Sequence, residues 1–172
     1  MKWKRIAIAT VMAVAFLATA FGLSRRVRAQ TTNQLAGTYR LIGVKRTVVA
    51  TGETTEPYGK APQGYITYGR DGRMMLLMVA EKRPKPRDLA TMTDQERADL
   101  FKTMLAYSGT YDFDGKIVTH HINVSSNQIL TGTHQVRNVR LDGRTLVLTT
   151  NAEPAPSTGI VSVSVITWEK VD

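Results

Sequence analysis

Three Asp-Gly pairs flanked by strand-forming residues constrain this chain more than any other feature of its sequence. They are Asp71-Gly72, Asp114-Gly115 and Asp142-Gly143. Asp-Gly is a strong signal of a two-residue hairpin loop, because both residues tolerate the positive φ that such a loop needs. The stretches around these pairs are rich in β-branched and aromatic residues, which predicts consecutive antiparallel hairpins. The expected fold class is therefore all-β, as an antiparallel sandwich or barrel.

A single short helix is expected to interrupt the strands. Thr93, followed three residues later by Glu96, forms a capping box at its start. The apolar residues of its stripe are Leu100, Phe101, Met104 and Leu105. This spacing predicts an amphipathic helix that lies against the sheet or across one end of a barrel.

Residues 1–29 have the pattern of a secretory signal peptide. A basic start precedes an apolar run over residues 6–23, and small residues offer cleavage after Ala20 or Ala29. The alternative is an uncleaved membrane anchor over residues 6–23, which is close to the roughly 17 to 25 residues that span a bilayer. Both alternatives predict a periplasmic or secreted domain over residues 30–172, with membrane contact only if the first segment is retained.

The charge of the chain is concentrated in that first segment. Residues 1–29 hold six of the 23 Lys and Arg residues and none of the 14 Asp and Glu residues, so 17 cations face 14 anions in the remainder. A domain with this small excess gives no electrostatic reason to expect nucleic-acid binding. The chain also lacks cysteine, so its core alone must stabilise it.

The Asp-Gly loops also predict a strand register. Two-residue loops give the following pairs: Phe113 with Lys116, Tyr111 with Val118, Gly109 with His120, Tyr107 with Ile122, Val139 with Leu146, and Arg137 with Leu148. Because side chains alternate between the two faces of a strand, each pair also shares a face.

The more apolar face of these strands is expected to form the barrel interior. Val118, Ile122 and Val124 share the face of His120, which predicts that His120 points inward and His121 outward. The predicted interior residues of this region are Tyr107, Tyr111, Phe113, Val118, His120, Ile122, Gln135, Arg137, Val139, Leu146 and Leu148.

Opposite orientation of the two adjacent histidines argues against a shared metal ion. His134 has the outward parity of His121 and is expected near it, but no carboxylate is expected beside this exposed pair. The sequence therefore predicts no metal site and gives no reason to expect a cofactor. Ser108 also has outward parity, so no Ser-His-Asp relay is expected at His120.

A polar group inside an apolar barrel is typical of a ligand pocket. The predicted ligand-binding residues are Tyr107, Tyr111, His120, Gln135 and Arg137. A guanidinium rarely lies inside a protein unless it meets an anion, a partner or water. The alternative is that His120 and Arg137 are satisfied within the fold and hold it together, as most buried polar groups are.

A set of short motifs, in order, resembles the bacterial and fungal lipocalin-like domain family. These motifs, from Leu35 to Lys170, are LAGTYRLIGV (35–44), PYG (57–59), PQGY (62–65), Tyr68, DGRM (71–74), YSGTY (107–111), VTH (118–120), Arg137, LVL (146–148) and WEK (168–170). The resemblance implies a single antiparallel up-and-down calycin β-barrel around a small-molecule cavity. It also implies that the His and Arg positions of the family fall on His120 and Arg137.

Two positions of these motifs differ from those of lipocalins. Tyr39 stands where the Gly-x-Trp start of lipocalins has Trp, and Lys170 stands where family members often carry Arg. The Arg-on-Trp stacking that closes the base of a lipocalin is therefore not expected in the same form.

Three functions follow from this reading. The first is an exported protein that binds a small apolar or amphipathic molecule. Arg137 and His120 would recognise a carboxylate or carbonyl of that molecule by hydrogen bonding. The alternative is a barrel enzyme of the isomerase, cyclase or hydrolase type. In that alternative His120 acts as acid or base and Arg137 stabilises an oxyanion; otherwise no catalytic residue is assigned. The second alternative is a structural domain with a filled barrel.

Overall fold

The computed structural model describes residues 34–154 and 159–171. The predicted signal segment, residues 1–29, and its alternative as an anchor lie outside these ranges. Within them, no helix has the length and apolarity to span a bilayer.

Antiparallel strands form most of the described chain. Their bounds are β1 Gly37–Val48, β2 Thr54–Thr55, β3 Gln63–Tyr68, β4 Arg73–Val79, β5 Met104–Phe113, β6 Ile117–Ser125, β7 His134–Asp142, β8 Thr145–Thr150, β9 Glu153–Pro154 and β10 Val161–Lys170. A helix, Asp94–Lys102, precedes β5, and a 3-10 turn, Gln128–Leu130, precedes β7. Strands β1, β3 to β8 and β10 pair in succession, and β10 pairs back to β1, which closes an eight-stranded barrel. The predicted all-β up-and-down barrel with one short helix is confirmed.

The predicted hairpin registers are wrong by two residues. Phe113 pairs with Val118, because the carboxylate of Asp114 accepts hydrogen bonds from the backbone N–H groups of Lys116 and Ile117 and lengthens the turn. Leu141 likewise pairs with Leu146, which moves the loop to Gly143-Arg144. A shift of two residues preserves the face of every side chain, so the inward and outward assignments survive it.

A β-bulge in β6 changes one of those assignments. Gly109 pairs with Ile122 and Ser108 with Val124, so the two β6 residues are separated by an extra one. Beyond the bulge the alternation is reversed, and Val124 is 60% exposed. Its predicted inward position is therefore wrong. The backbone approaches so closely here that a Cβ on Gly109 would lie 1.9 Å from the carbonyl oxygen of His121.

A second irregularity lies in β1, opposite β10. The pairing shifts between Leu41 and Gly43, so Val44 is buried although it lies three residues after buried Leu41. Arg46, two residues after Val44, then shares its inward face and is half-buried. Without the bulge, alternation from Leu41 would have placed Arg46 on the outer face.

The closed end of the barrel is formed by Leu35, Tyr39, Trp168 and Lys170. Leu35 and Trp168 are fully buried, and the hydroxyl of Tyr39 donates to the carbonyl of Leu35 over 3.0 Å. The ammonium of Lys170 lies 5.8 Å from the ring centroid of Tyr39 and donates to the carbonyl of Ala36. At this distance a cation is attracted by the ring face, so a lysine over a tyrosine occupies this end.

The helix is shorter and more exposed than its sequence pattern predicts. The capping box is confirmed, with Thr93 and Glu96 each accepting a backbone hydrogen bond of the other. The helix ends where Thr103 donates its hydroxyl to the carbonyl of Asp99, and Met104 and Leu105 belong to β5. No residue of the helix is buried and Phe101 is 51% exposed, so the predicted packing of an apolar stripe is wrong.

Candidate functional site

The centre of the barrel holds a histidine between two tyrosines. His120 is 1% exposed, and its Nε2 lies 2.7 Å from the hydroxyl of Tyr68 while its Nδ1 lies 2.9 Å from the hydroxyl of Tyr107. A neutral imidazole has one N–H and one lone pair, so it donates to one hydroxyl and accepts from the other. The inward orientation predicted for His120 is confirmed, and both of its ring nitrogens are occupied.

Burial keeps all three groups uncharged. It lowers the pKa of His120 to about 3, with help from the nearby positive charge of Arg137. Burial also raises the pKa of Tyr107 to about 12 and the pKa of Tyr68 well above its ordinary value. His120 therefore stays neutral throughout the physiological range.

The other predicted site residues lie on both sides of this group. Tyr111 is buried on β5 directly opposite His120, packs edge-on against Tyr68 at 4.8 Å between ring centroids, and donates its hydroxyl to the carbonyl of Gly69. Gln135 and Arg137 are half-buried on β7, where Gln135 pairs with His120 and Arg137 with Val118. The structure thus brings the five predicted residues to one inner wall.

The inner wall changes from apolar to polar in a single step along the barrel axis. One layer, here called the apolar layer, crosses four paired strands and consists of Val44, Ile166, Leu148 and Val139. The next layer on the same four strands, here called the polar layer, consists of Arg46, Ser164, Thr150 and Arg137. Arg46 pairs with Ser164, whose N–H donates to the hydroxyl of Thr150, and Thr150 pairs with Arg137. The residues of the polar layer are half-buried, so this layer marks the mouth of the barrel.

The polar layer is cationic. The Arg137 guanidinium donates to the carbonyl of Val136 and to the side-chain oxygen of Gln135, which uses two of its five N–H donors. None of the ion pairs among the described residues involves Arg46 or Arg137. Two half-buried guanidinium groups therefore face the mouth without a carboxylate counter-charge in the described part of the chain.

The opposite side of the mouth is apolar. Leu105 pairs with Met78 across β4 and β5, and Tyr58 and Leu130 pack against the core from the adjoining loops. Burial raises the pKa of Tyr58, and the charge of Arg46 opposes that rise, so this tyrosine lies near the polar layer. The mouth thus combines a cationic wall with an apolar one.

The outer wall carries a contact that the sequence analysis missed. The predicted meeting of His121 with His134 is confirmed, with their Nδ1 atoms 2.9 Å apart. The expectation that no carboxylate lies beside them is wrong, because Oδ2 of Asp112 lies 2.9 Å from Nε2 of His121. The true register places Thr110 opposite His121, which makes Asp112 its diagonal neighbour.

Comparison with known protein families supports the architecture just described. The family model described as a lipocalin-like domain matches residues 36–171, which cover the whole barrel. The chain belongs to the lipocalin-like domain family. No curated protein sequence matches it. A lipocalin-like barrel of this kind supports ligand binding in general.

Tyr68 and Arg46 are among the inward residues of this lipocalin-like barrel that were absent from the predicted site. The inward position of Tyr68 could have been predicted from strand alternation, since Gly64, Ile66 and Tyr68 alternate with exposed residues along β3. Arg46 could not, because only the bulge in β1 turns it inward. The ligand-binding roles predicted for Tyr107, Tyr111, His120, Gln135 and Arg137 stay predictions.

Proposed function

We propose that the protein binds a small amphipathic molecule with an anionic head group in the mouth of its barrel. The observation that supports this most is the polar layer, in which Arg46 and Arg137 face the mouth without a carboxylate partner among the described residues. A half-buried guanidinium is stabilised by an anion with planar oxygens, such as a carboxylate, to which it donates two parallel hydrogen bonds.

The apolar part of the ligand has a matching wall. Tyr58, Leu105 and Leu130 are partly buried on the other side of the mouth and offer apolar surface to a hydrocarbon or ring. The apolar layer is packed on the closed side of the polar layer and forms the floor of this site, and His120, which pairs with Gln135, lies beside Arg137. A ligand held here would contact Arg137 and Gln135 directly and lie beside Tyr107 and His120.

A matched pair of probes tests the role of the charge. Decanoate and 1-decanol share an alkyl chain and differ in head group, so the two guanidinium groups should favour decanoate. Isothermal titration should show tighter binding of decanoate to the protein, and Arg137→Gln should remove most of that preference. Arg140→Gln is the control, because Arg140 lies on the same strand, points outward and is paired with Asp142. Equal affinity for both probes, or a preference that survives Arg137→Gln, would contradict the proposal.

We also propose that the protein acts outside the cytoplasm. The support is the sequence of residues 1–29, with its basic start, apolar run and small-residue cleavage options. Fractionation of the native host followed by intact-mass measurement tests this directly. A chain beginning after Ala20 or Ala29 in the periplasmic or extracellular fraction is the expected result. The full-length mass in the membrane fraction would indicate the anchor, and the full-length mass in the cytosol would refute export.

A further inference from the structure

The outer wall of the barrel carries a histidine pair whose geometry is that of a chelate. His121 on β6 and His134 on β7 are directly opposite each other, and their rings meet edge to face with centroids 4.7 Å apart. Their Nδ1 atoms are 2.9 Å apart. Two nitrogens bound at a right angle to one metal ion, each about 2.0–2.1 Å from it, would be separated by about 3 Å.

We propose that His121 and His134 form a two-nitrogen site for a divalent transition-metal ion, with Asp112 as a positioning residue. The ion would lie to one side of the line that joins the two Nδ1 atoms, about 2.0–2.1 Å from each, and the hydrogen between them would leave that position. Both rings are carried by paired strands, so little movement is needed to admit it.

Asp112 prepares His121 for this role. Its carboxylate lies 2.9 Å from Nε2 of His121 and accepts that N–H, so a neutral His121 carries its lone pair on Nδ1. A metal-binding histidine commonly donates its other N–H to a carboxylate, which fixes the tautomer and raises the basicity of the ligand atom. Because Asp112 contacts the far edge of the ring, it supports the metal ligand and does not bind the ion itself.

His134 supplies the second nitrogen by a change of tautomer. With His121 neutral and its Nε2–H on Asp112, His134 donates its Nδ1–H to the lone pair of His121. When the ion binds, that proton moves through solvent to Nε2 of His134, and the Nδ1 lone pair turns to the metal. No proton is released if both rings start neutral, and His134 is exposed enough to exchange freely with water.

The ligand set indicates which ions are suitable. The described residues contain no group of three or more His, Cys, Asp or Glu side chains placed around one ion, so water would complete the coordination of this pair. Imidazole nitrogen suits copper, nickel and zinc, and the stability order of divalent ions places Cu²⁺ first. The side chain of His121 is 32% exposed, which leaves open positions for water or for a ligand from another molecule.

Copper titration of the untagged protein tests the site. Cu²⁺ added to the protein should bind one equivalent tightly, with the electron paramagnetic resonance pattern of two imidazole nitrogens. His121→Ala and His134→Ala should each weaken binding of that equivalent by about tenfold or more and leave at most one nitrogen in the spectrum. Asp112→Asn should keep both nitrogens and weaken binding by about tenfold, the scale of a lost carboxylate partner. Asn138→Ala, on the outer face of the same strand as His134, should change neither.

Three results would overturn the proposal. The first is a stoichiometry and an affinity that are unchanged in both histidine variants, which would mean an adventitious ion only. The second is a spectrum of the unmodified protein that lacks the two-nitrogen pattern. The third is loss of copper binding in Asn138→Ala. Circular dichroism of each variant identifies any that fails to fold. Should His121→Ala fail, His134→Ala and Asp112→Asn carry the test alone.

Discussion

The hydroxyl oxygen of Tyr68 lies 2.7 Å from Nε2 of His120, with both side chains fully buried in the packed half of the barrel. Removing that hydroxyl leaves a buried ring nitrogen without its partner, which costs about 1–3 kcal/mol. We therefore expect Tyr68→Phe to lower the free energy of unfolding by this amount, as measured by urea denaturation. Tyr65→Phe is the control, since Tyr65 is on the same strand but 52% exposed and should change stability by less than about 0.5 kcal/mol. Equal effects of the two substitutions would argue that the contact is unimportant.

The buried neutral state of His120 predicts acid sensitivity. Its pKa is about 3 in the folded protein, against about 6.5 in an unfolded chain. The unfolded state therefore binds the proton first, so the contribution to stability is complete above pH about 6.5 and is lost as the pH falls toward 3. The free energy of unfolding should decrease by up to about 1.4 kcal/mol per pH unit in this window from His120 alone.

Two measurements check this pH dependence. Urea denaturation between pH 6.5 and 5 should show a steeper loss for the unmodified protein than for His120→Gln. If that variant does not fold, nuclear magnetic resonance of the His120 ring in the unmodified protein should show no titration from pH 8 to 5. A midpoint for this ring near 6.5 would contradict the prediction.

The bulge at Gly109 should tolerate no side chain. A Cβ there would lie 1.9 Å from the carbonyl oxygen of His121 and 3.0 Å from the backbone nitrogen of Asn123, and neither backbone atom can turn aside. We expect Gly109→Ala to lower the free energy of unfolding by at least about 2 kcal/mol in urea denaturation. Gly43→Ala, at the other bulge, has nothing within 4 Å of the new Cβ and should be close to neutral. A Gly109→Ala protein as stable as Gly43→Ala would mean that the close approach is absent.

The two inward arginines should oppose folding of the ligand-free protein and support it when an anion binds. Arg137→Gln removes a half-buried charge that has no carboxylate partner among the described residues, so the melting temperature of the free protein should stay the same or rise. Saturating decanoate should raise the melting temperature of the unmodified protein by mass action and that of Arg137→Gln much less. A lower melting temperature in the ligand-free variant would instead indicate that Arg137 holds the barrel together.

The fold and the faces of most strands could be predicted from the sequence because the Asp-Gly loops and the alternation are local signals. Val118, His120, Ile122, Leu146 and Leu148 were assigned inward correctly even though the registers were off by two, since an even shift preserves parity. The registers themselves depend on whether an aspartate caps its own turn, as Asp114 does, and the dipeptide does not reveal this.

The β-bulges could not be predicted from the sequence, and they reverse which side chains point inward. An extra residue in one strand reverses parity beyond it, which exposed Val124 and turned Arg46 inward. The two-residue register error at the Asp114 turn, and not a bulge, hid Asp112, since it placed Ser108 and not Thr110 opposite His121. Each candidate site thus contains one residue that the sequence did not predict: Arg46 at the barrel mouth and Asp112 beside the histidine pair. Both positions depend on the strand pairing, which only the three-dimensional structure reveals.

Closure of the barrel by β1 and β10 determines where the protein can be held. The backbone N–H of Val171 donates to the carbonyl of Thr38, so the chain enters and leaves the barrel side by side at the closed end. Gln34 and Val171, the first and last described residues, therefore lie at the end opposite the mouth. A tether joined directly at Gln34 or Val171, to a bead or a sensor chip, starts behind the barrel and leaves Arg46 and Arg137 facing the surrounding solution.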